Sequence, residues 1–113
     1  MDQDAGIEQI KHLVIMVTVS DKEEGARVAR PLVEEGLAAC VNIVQGLTSV
    51  FMWKGKVEEE PEALLIIKTT TERLYELIGR VKELHSYDVP EVIALPIVDG
   101  NPAFLQWIEE VTT

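Results

Sequence analysis

The spacing of apolar positions changes several times along the chain, and each change predicts a new element. His12 to Val19 is a short, nearly continuous apolar run rich in β-branched residues, which suits a central strand buried on both faces. From Ser20 the period lengthens. Ala26, Ala29 and Val33, with Val28 and Leu32 beside them, form one helical stripe; Ser20 and Glu23 have capping-box spacing, and Gly36 stands where a C-cap is expected. Pro31 interrupts this stripe at a cost of about 3 kcal/mol in a helix interior, so the segment is either one kinked helix or a helix that starts near Pro31. Ala38 to Thr69 then reads as a hairpin, two β-branched and aromatic runs joined through Lys54-Gly55. Gly46 marks a bulge or bend in its outgoing arm, and the acidic run Glu58-Glu59-Glu60 with Pro61 places edge-strand residues on its return.

The second half repeats the alternation of types. Thr69 to Leu84 is the clearest helix: Thr69 and Glu72 have capping-box spacing, and Leu74, Leu77, Ile78, Val81 and Leu84 share a face. His85 to Glu91 is a loop, Val92 to Val98 a strand that Pro96 demotes to an edge or bulge, and Asp99-Gly100 a turn. Asn101 as N-cap and Pro102 at the first helical position open a short last helix carrying Phe104, Leu105, Trp107 and Ile108. Two strand–helix–strand halves meeting in a hairpin give an α+β fold, the ferredoxin-like split βαβ sandwich, with an extra C-terminal helix. Residues 1 to about 10 are polar and read as a flexible N-terminus, leaving 11–113 as a single domain.

The hairpin is too long for its surroundings. An arm from Ala38 to Trp53 would extend roughly 50 Å at about 3.3 Å per residue, whereas each flanking helix spans roughly 24 Å at about 1.5 Å per residue. The overhang is apolar, and a second copy of the chain is the expected cover.

Composition narrows the functional classes. With 20 acidic against 10 basic residues the net charge is −10, which argues against a nucleic-acid phosphate track and is compatible with attraction of cations. Cys40 is the only cysteine, so no intrachain disulfide forms, and there is neither a transmembrane-length apolar run nor a signal-peptide pattern at the start. A cytoplasmic location is the expectation. No glycine-rich phosphate loop, serine nucleophile elbow or paired metal-ligand motif is present, and an enzyme is not expected.

Four motifs, taken in order, resemble one family: Leu37-Ala-Ala-Cys40-Val-Asn-Ile, Trp53-x-Gly55-Lys56, His85-x-Tyr87-Asp-Val-Pro90-Glu91, and Gly100-Asn-Pro-x-Phe-Leu-x-Trp107-Ile. Together they resemble the divalent-cation tolerance (CutA) proteins over nearly the whole chain from about residue 12. The resemblance implies a homotrimer whose long hairpins cross into neighbouring subunits, an assembly like that of the P-II signalling proteins, and an association with copper tolerance and divalent-cation binding. It also implies that Trp53, Lys68, Tyr87 and Glu91 line clefts between subunits. Three positions depart from the family's pattern: Ser86 replaces a common proline, which predicts a less rigid loop; Leu84 stands where some members carry an extra histidine; and Pro31 is atypical.

The candidate metal ligands are Cys40, His85 and Glu91. A thiolate suits Cu(I), although a cysteine on a strand beside Asn42 and Val44 also serves as a small core residue. His85 follows a helix C-terminus, where it either caps or ligates. One cysteine and two histidines cannot build a four-ligand nitrogen/sulfur site, so copper or another divalent cation would need carboxylates such as Glu91 or Asp88, or ligands from a second subunit. His12 is expected to be incidental. Trp53 and Tyr87 equally suit packing of a subunit contact, whereas Lys68, closing an apolar strand, calls for an anionic partner. The leading expectation is a homotrimer that binds divalent metal and serves metal tolerance. The alternative is a P-II-like signalling or scaffold trimer that binds a small anionic ligand in its clefts.

Overall fold

The computed structural model describes residues 9–113. Strand β1 (His12–Val19) leads into helix α1 (Lys22–Glu34), then strands β2 (Cys40–Trp53) and β3 (Lys56–Thr70). A single 3-10 turn (Thr71–Arg73) precedes α2 (Leu74–Leu84), followed by β4 (Val92–Pro96) and α3 (Pro102–Val111). The antiparallel sheet has the order β2-β3-β1-β4. This is the expected ferredoxin-like α+β arrangement with its added helix. The frayed segment expected over residues 1 to about 10 lies outside the described residues except at its end, where Ile10 packs against the core.

One face of the sheet makes the core. Leu13, Ile15, Val17 and Val19 of β1 and Ala63, Leu65 and Ile67 of β3 are buried there with Val28 and Leu32 of α1 and Leu77 and Val81 of α2. The other face is open in a single chain. Val14, Met16 and Thr18 alternate with the buried residues and are only half-buried, so β1 is covered on one face and not on both as its apolar run predicted.

Helix α1 starts one residue later than expected. Asp21 is the N-cap, its side chain accepting from the Glu24 N–H at 2.8 Å. The Glu24 carboxylate, not that of Glu23, reaches back to Ser20. The helix continues through Pro31, which excludes a start near that residue, although proline cannot donate to the Arg27 carbonyl one turn back. Its buried stripe is Gly25, Val28, Ala29 and Leu32, while Ala26 and Val33 are exposed. A Cβ at Gly25 would stand 3.2 Å from Leu65 Cδ2 and 3.3 Å from Ile43 Cγ2, so a bare backbone lets the helix lie close on the sheet. The helix ends as the sequence predicts. Gly36, at φ +71°, donates to Val33 O, and Leu37 donates to Leu32 O, which is a Schellman closure.

The capping box expected at Thr69 and Glu72 does not form. Pairing with β1 carries β3 on to Thr70, opposite His12, and the buried Thr69 hydroxyl donates to Leu37 O at 2.7 Å. Strand β4 stops at Pro96, two residues short of the expected Val98, and forms a sheet edge paired only with β1. At α3 the prediction holds: Asn101 Oδ1 accepts from Ala103 N–H, and Pro102 opens the helix.

The hairpin is turned by Lys54 (φ 51°) and Gly55 (φ 81°), both in the left-handed region that a two-residue turn of this kind requires. Gly46, at φ +87°, lies in a bulge: Val44 pairs with Leu64 and Leu47 with Glu62, so two residues of β2 stand opposite Ala63. The extra residue reverses the alternation along β2. Cys40, Asn42 and Val44 share the open face below the bulge, and Leu47, Ser49, Phe51 and Trp53 share it above, opposite Glu62, Glu60, Glu58 and Lys56. Strand β1 ends opposite Ala63, so everything beyond is a two-stranded ribbon. There Glu58 to Pro61 sit on a free edge, although β3 is interior lower down. The ribbon's apolar side chains are uncovered: Val50, Met52 and Val57 are 63%, 66% and 69% exposed.

Candidate functional site

A cleft of about 1000 Å³ opens between the ribbon and the 85–91 loop. Alternation along the strands supplies one wall, with Ser49, Phe51 and Trp53 from β2 and Glu58, Glu60 and Glu62 from β3. The loop supplies Tyr87, Asp88, Val89 and Glu91, and Thr18 and Ser20 close the end of β1. Five carboxylates therefore meet an aromatic surface. Of the residues expected here, Trp53, Tyr87 and Glu91 line the cleft and Lys68 does not. Glu58 and Glu60, which read in sequence as edge-strand residues, are part of the wall. Their alternate spacing in a strand was the signal that they share a face, with Glu62 as its continuation.

The loop is short of regular structure and is held by side chains. His85 is buried, and both its ring nitrogens are engaged. Nε2 lies 2.7 Å from Thr18 O, which only accepts, so Nε2 carries the proton; Nδ1 then accepts from Tyr87 N–H at 3.1 Å. In this arrangement the neutral ring has no free lone pair for a metal. The Tyr87 ring packs tilted on it at 4.6 Å, and its hydroxyl donates to Glu62 Oε2 at 2.7 Å. Burial, and then the hydrogen bond to Glu62, push the Tyr87 phenol well above its ordinary value, so it stays a donor.

Behind the loop lies Glu24, 2% exposed. Oε1 accepts from Ser20 N–H at 2.8 Å and Ser20 Oγ–H at 2.9 Å, and Oε2 accepts from Ser86 N–H at 2.8 Å. Burial pushes this carboxyl up, but the hydrogen bonds from Ser20 and Ser86 outweigh burial and bring it down to about 2. Serine in place of proline at 86 was expected to loosen the loop. It supplies an N–H that proline lacks, and that N–H ties the loop to α1.

Cys40 and Lys68 lie elsewhere. They face each other across β2 and β3 on the open face, and Lys68 Nζ donates to Asn42 Oδ1, a neutral partner where an anion was expected. The rung Val14–Lys68 is four residues from Thr18, roughly 13 Å along the strand at about 3.3 Å per residue. Cys40 is half-buried. His12, expected to be incidental, pairs with Glu109 at 2.8 Å and helps dock α3. Among the described residues, no three His, Cys, Asp or Glu side chains are grouped to hold a metal ion. None of the helices described is long and apolar enough to cross a membrane.

What this arrangement offers chemically is a set of hard oxygen donors and negative charge, suited to cations and unsuited to an anion. Residues 13–111 match the family model of the CutA1 divalent ion tolerance protein. A divalent-cation tolerance protein CutA of Thermus thermophilus is 52% identical over 99 residues, covering 88% of this chain and 96% of its own. The chloroplastic protein CutA 1 of Oryza sativa is 52% identical over 103 residues; the match takes in 91% of this chain but only 58% of that protein's length. The crystal structure of CutA1 from Oryza sativa superposes with a TM-score of 0.89 at 51% identity, covering 92% of this chain and 95% of that one. With the fold, the motifs and the family model in agreement, the chain belongs to the CutA family of divalent-cation tolerance proteins.

Proposed function

We propose that this protein is a homotrimer that binds divalent cations, copper foremost, in its acid-walled cleft and so contributes to metal tolerance. The observation that carries this reading is that Glu58, Glu60, Glu62, Asp88 and Glu91 all line one cleft of a chain with a net charge of −10. Copper(II) heads the affinity order of divalent first-row metals for a given oxygen, nitrogen or sulfur site, so carboxylate ligation is consistent with it. Glu91 and Asp88, on the loop, are the proposed direct ligands. The His85 ring supports the loop in this reading, and Cys40 stands outside the site. A cation held by few side chains in each chain retains water or takes ligands from a second copy, and the cleft's ribbon wall is the element with the most uncovered apolar surface. Trp53 and Tyr87 then form the aromatic edge of an intersubunit cleft. The lone cysteine supports a cytoplasmic setting.

Equilibrium dialysis against Cu(II) tests the ligand assignment. The Asp88→Asn/Glu91→Gln variant is expected to lose about tenfold or more in affinity, a loss of the size that follows removal of groups around a metal. Cys40→Ser is expected to bind as wild type. Undiminished binding by the double carboxylate variant would overturn the cleft as the site, and loss of binding on Cys40→Ser would move the site to the Cys40–Lys68 rung below the bulge.

A further inference from the structure

Among the described residues, Glu24 is the one buried carboxylate that does not line the cleft. A carboxylate 2% exposed is costly unless its oxygens are filled, and local structure fills only half of this one. Glu24 is the third residue of α1 after the Asp21 cap, the position from which a capping-box glutamate reaches back to the chain entering the helix. Oε1 does this, taking both the N–H and the hydroxyl of Ser20. Oε2 is turned away from its own helix. It accepts from Ser86, 62 positions along the chain.

Ser86 is where that bond has consequences. It lies between His85, whose ring is fixed on Thr18 O, and Tyr87, whose N–H returns to the His85 ring and whose hydroxyl reaches Glu62. Two successive loop amides are thus held by two side chains, Glu24 and His85. Immediately after them come Asp88 and Glu91. No helix or strand fixes this segment between the end of α2 at Leu84 and the start of β4 at Val92. The placement of its carboxylates depends on these side-chain ties.

We propose that Glu24 is a positioning residue for the cleft: through the main chain of Ser86 it holds the 85–91 wall where Asp88 and Glu91 meet the ribbon. Glu24 touches no ligand. The effect on cation binding rests on the cleft reading above; the effect on the loop does not.

Two readouts separate these parts. In the folded chain, amide hydrogen exchange at Ser86 is expected to be at least tenfold slower than at Val89, which is exposed in the same loop. In Glu24→Ala, with far-ultraviolet circular dichroism unchanged, exchange at Ser86 accelerates at least tenfold. Cu(II) affinity in dialysis falls about tenfold, as for loss of an outer-shell support. Glu23→Ala, one residue away on the exposed side, changes neither. If Glu24→Ala does not fold, Glu24→Gln takes its place, since one amide oxygen cannot serve both Ser20 and Ser86. Wild-type protection of Ser86 in a folded variant overturns the proposal. So does faster Ser86 exchange with unchanged Cu(II) affinity, provided Asp88→Asn/Glu91→Gln does weaken binding. If that double variant binds normally, the cleft reading fails by itself, and the positioning of the loop stands or falls on Ser86 exchange alone.

Discussion

Glu24 makes acid sensitivity a local property of the α1–loop junction. Its carboxyl titrates near 2 in the folded chain against an ordinary 4.5, because the donors from Ser20 and Ser86 outweigh burial. A depression of that size corresponds to on the order of 3 kcal/mol of stability. The sign follows from the direction. A lowered carboxyl contributes in full above pH 4.5 and loses that contribution as pH falls towards about 2. Glu24→Gln fills nearly the same volume and does not titrate, so at neutral pH it is less stable than wild type. Urea unfolding followed by tryptophan fluorescence, at one fixed protein concentration to hold any assembly constant, measures the gap. The gap is expected to narrow steadily between pH 4.5 and about 2. A gap that stays constant over that interval would refute the linkage and with it the combined effect of the Ser20 and Ser86 hydrogen bonds on this carboxyl.

Two glycines test the backbone argument by opposite outcomes. Gly46→Ala, at φ +87° with open space around the new Cβ, should lower stability by about 1 kcal/mol through conformation alone. Gly79→Ala, inside α2 and equally unobstructed, should raise it by up to about 1 kcal/mol; urea midpoints of both variants check the pair. In a Tyr75→Phe background, the phenolate absorbance of Tyr87 should appear only well above pH 10, since burial and Glu62 disfavour the anion. Glu62→Gln should bring that titration down, and an ordinary titration in the parent would refute the Tyr87–Glu62 contact.

Much of the fold was legible because its signals are local. The Lys54-Gly55 turn, the Gly46 bulge, the Gly36 closure and the Asn101-Pro102 start each depend on a few adjacent residues, and each forms as read. The errors fall where distant pairing decides. Thr69 and Glu72 have the spacing of a cap, but a strand partner from residues 12–13 holds Thr69 in the sheet. Ser20 and Asp21 each precede a glutamate by three residues, and only the burial of Glu24 against a loop 62 positions away distinguishes them. The lining of the candidate cleft was half legible for the same reason. Trp53, Tyr87 and Glu91 could be named from motifs, whereas Glu58, Glu60 and Glu62 share a face by alternation along β3 and meet the 85–91 loop only in three dimensions. His85 carried the residue type of a ligand, and the contacts of its two ring nitrogens with Thr18 O and Tyr87 N–H are invisible in one dimension.

The overhanging ribbon leaves the account with one direct test. Val50, Met52 and Val57 are more than half exposed on an element with no third strand, and the open sheet face adds half-buried Val14 and Met16. We infer that copies of the same chain cover both. Light scattering on the purified protein should give three times the 12.6 kDa mass of the chain. A mass of 12.6 kDa would contradict the trimer and the reason proposed for the length of the hairpin.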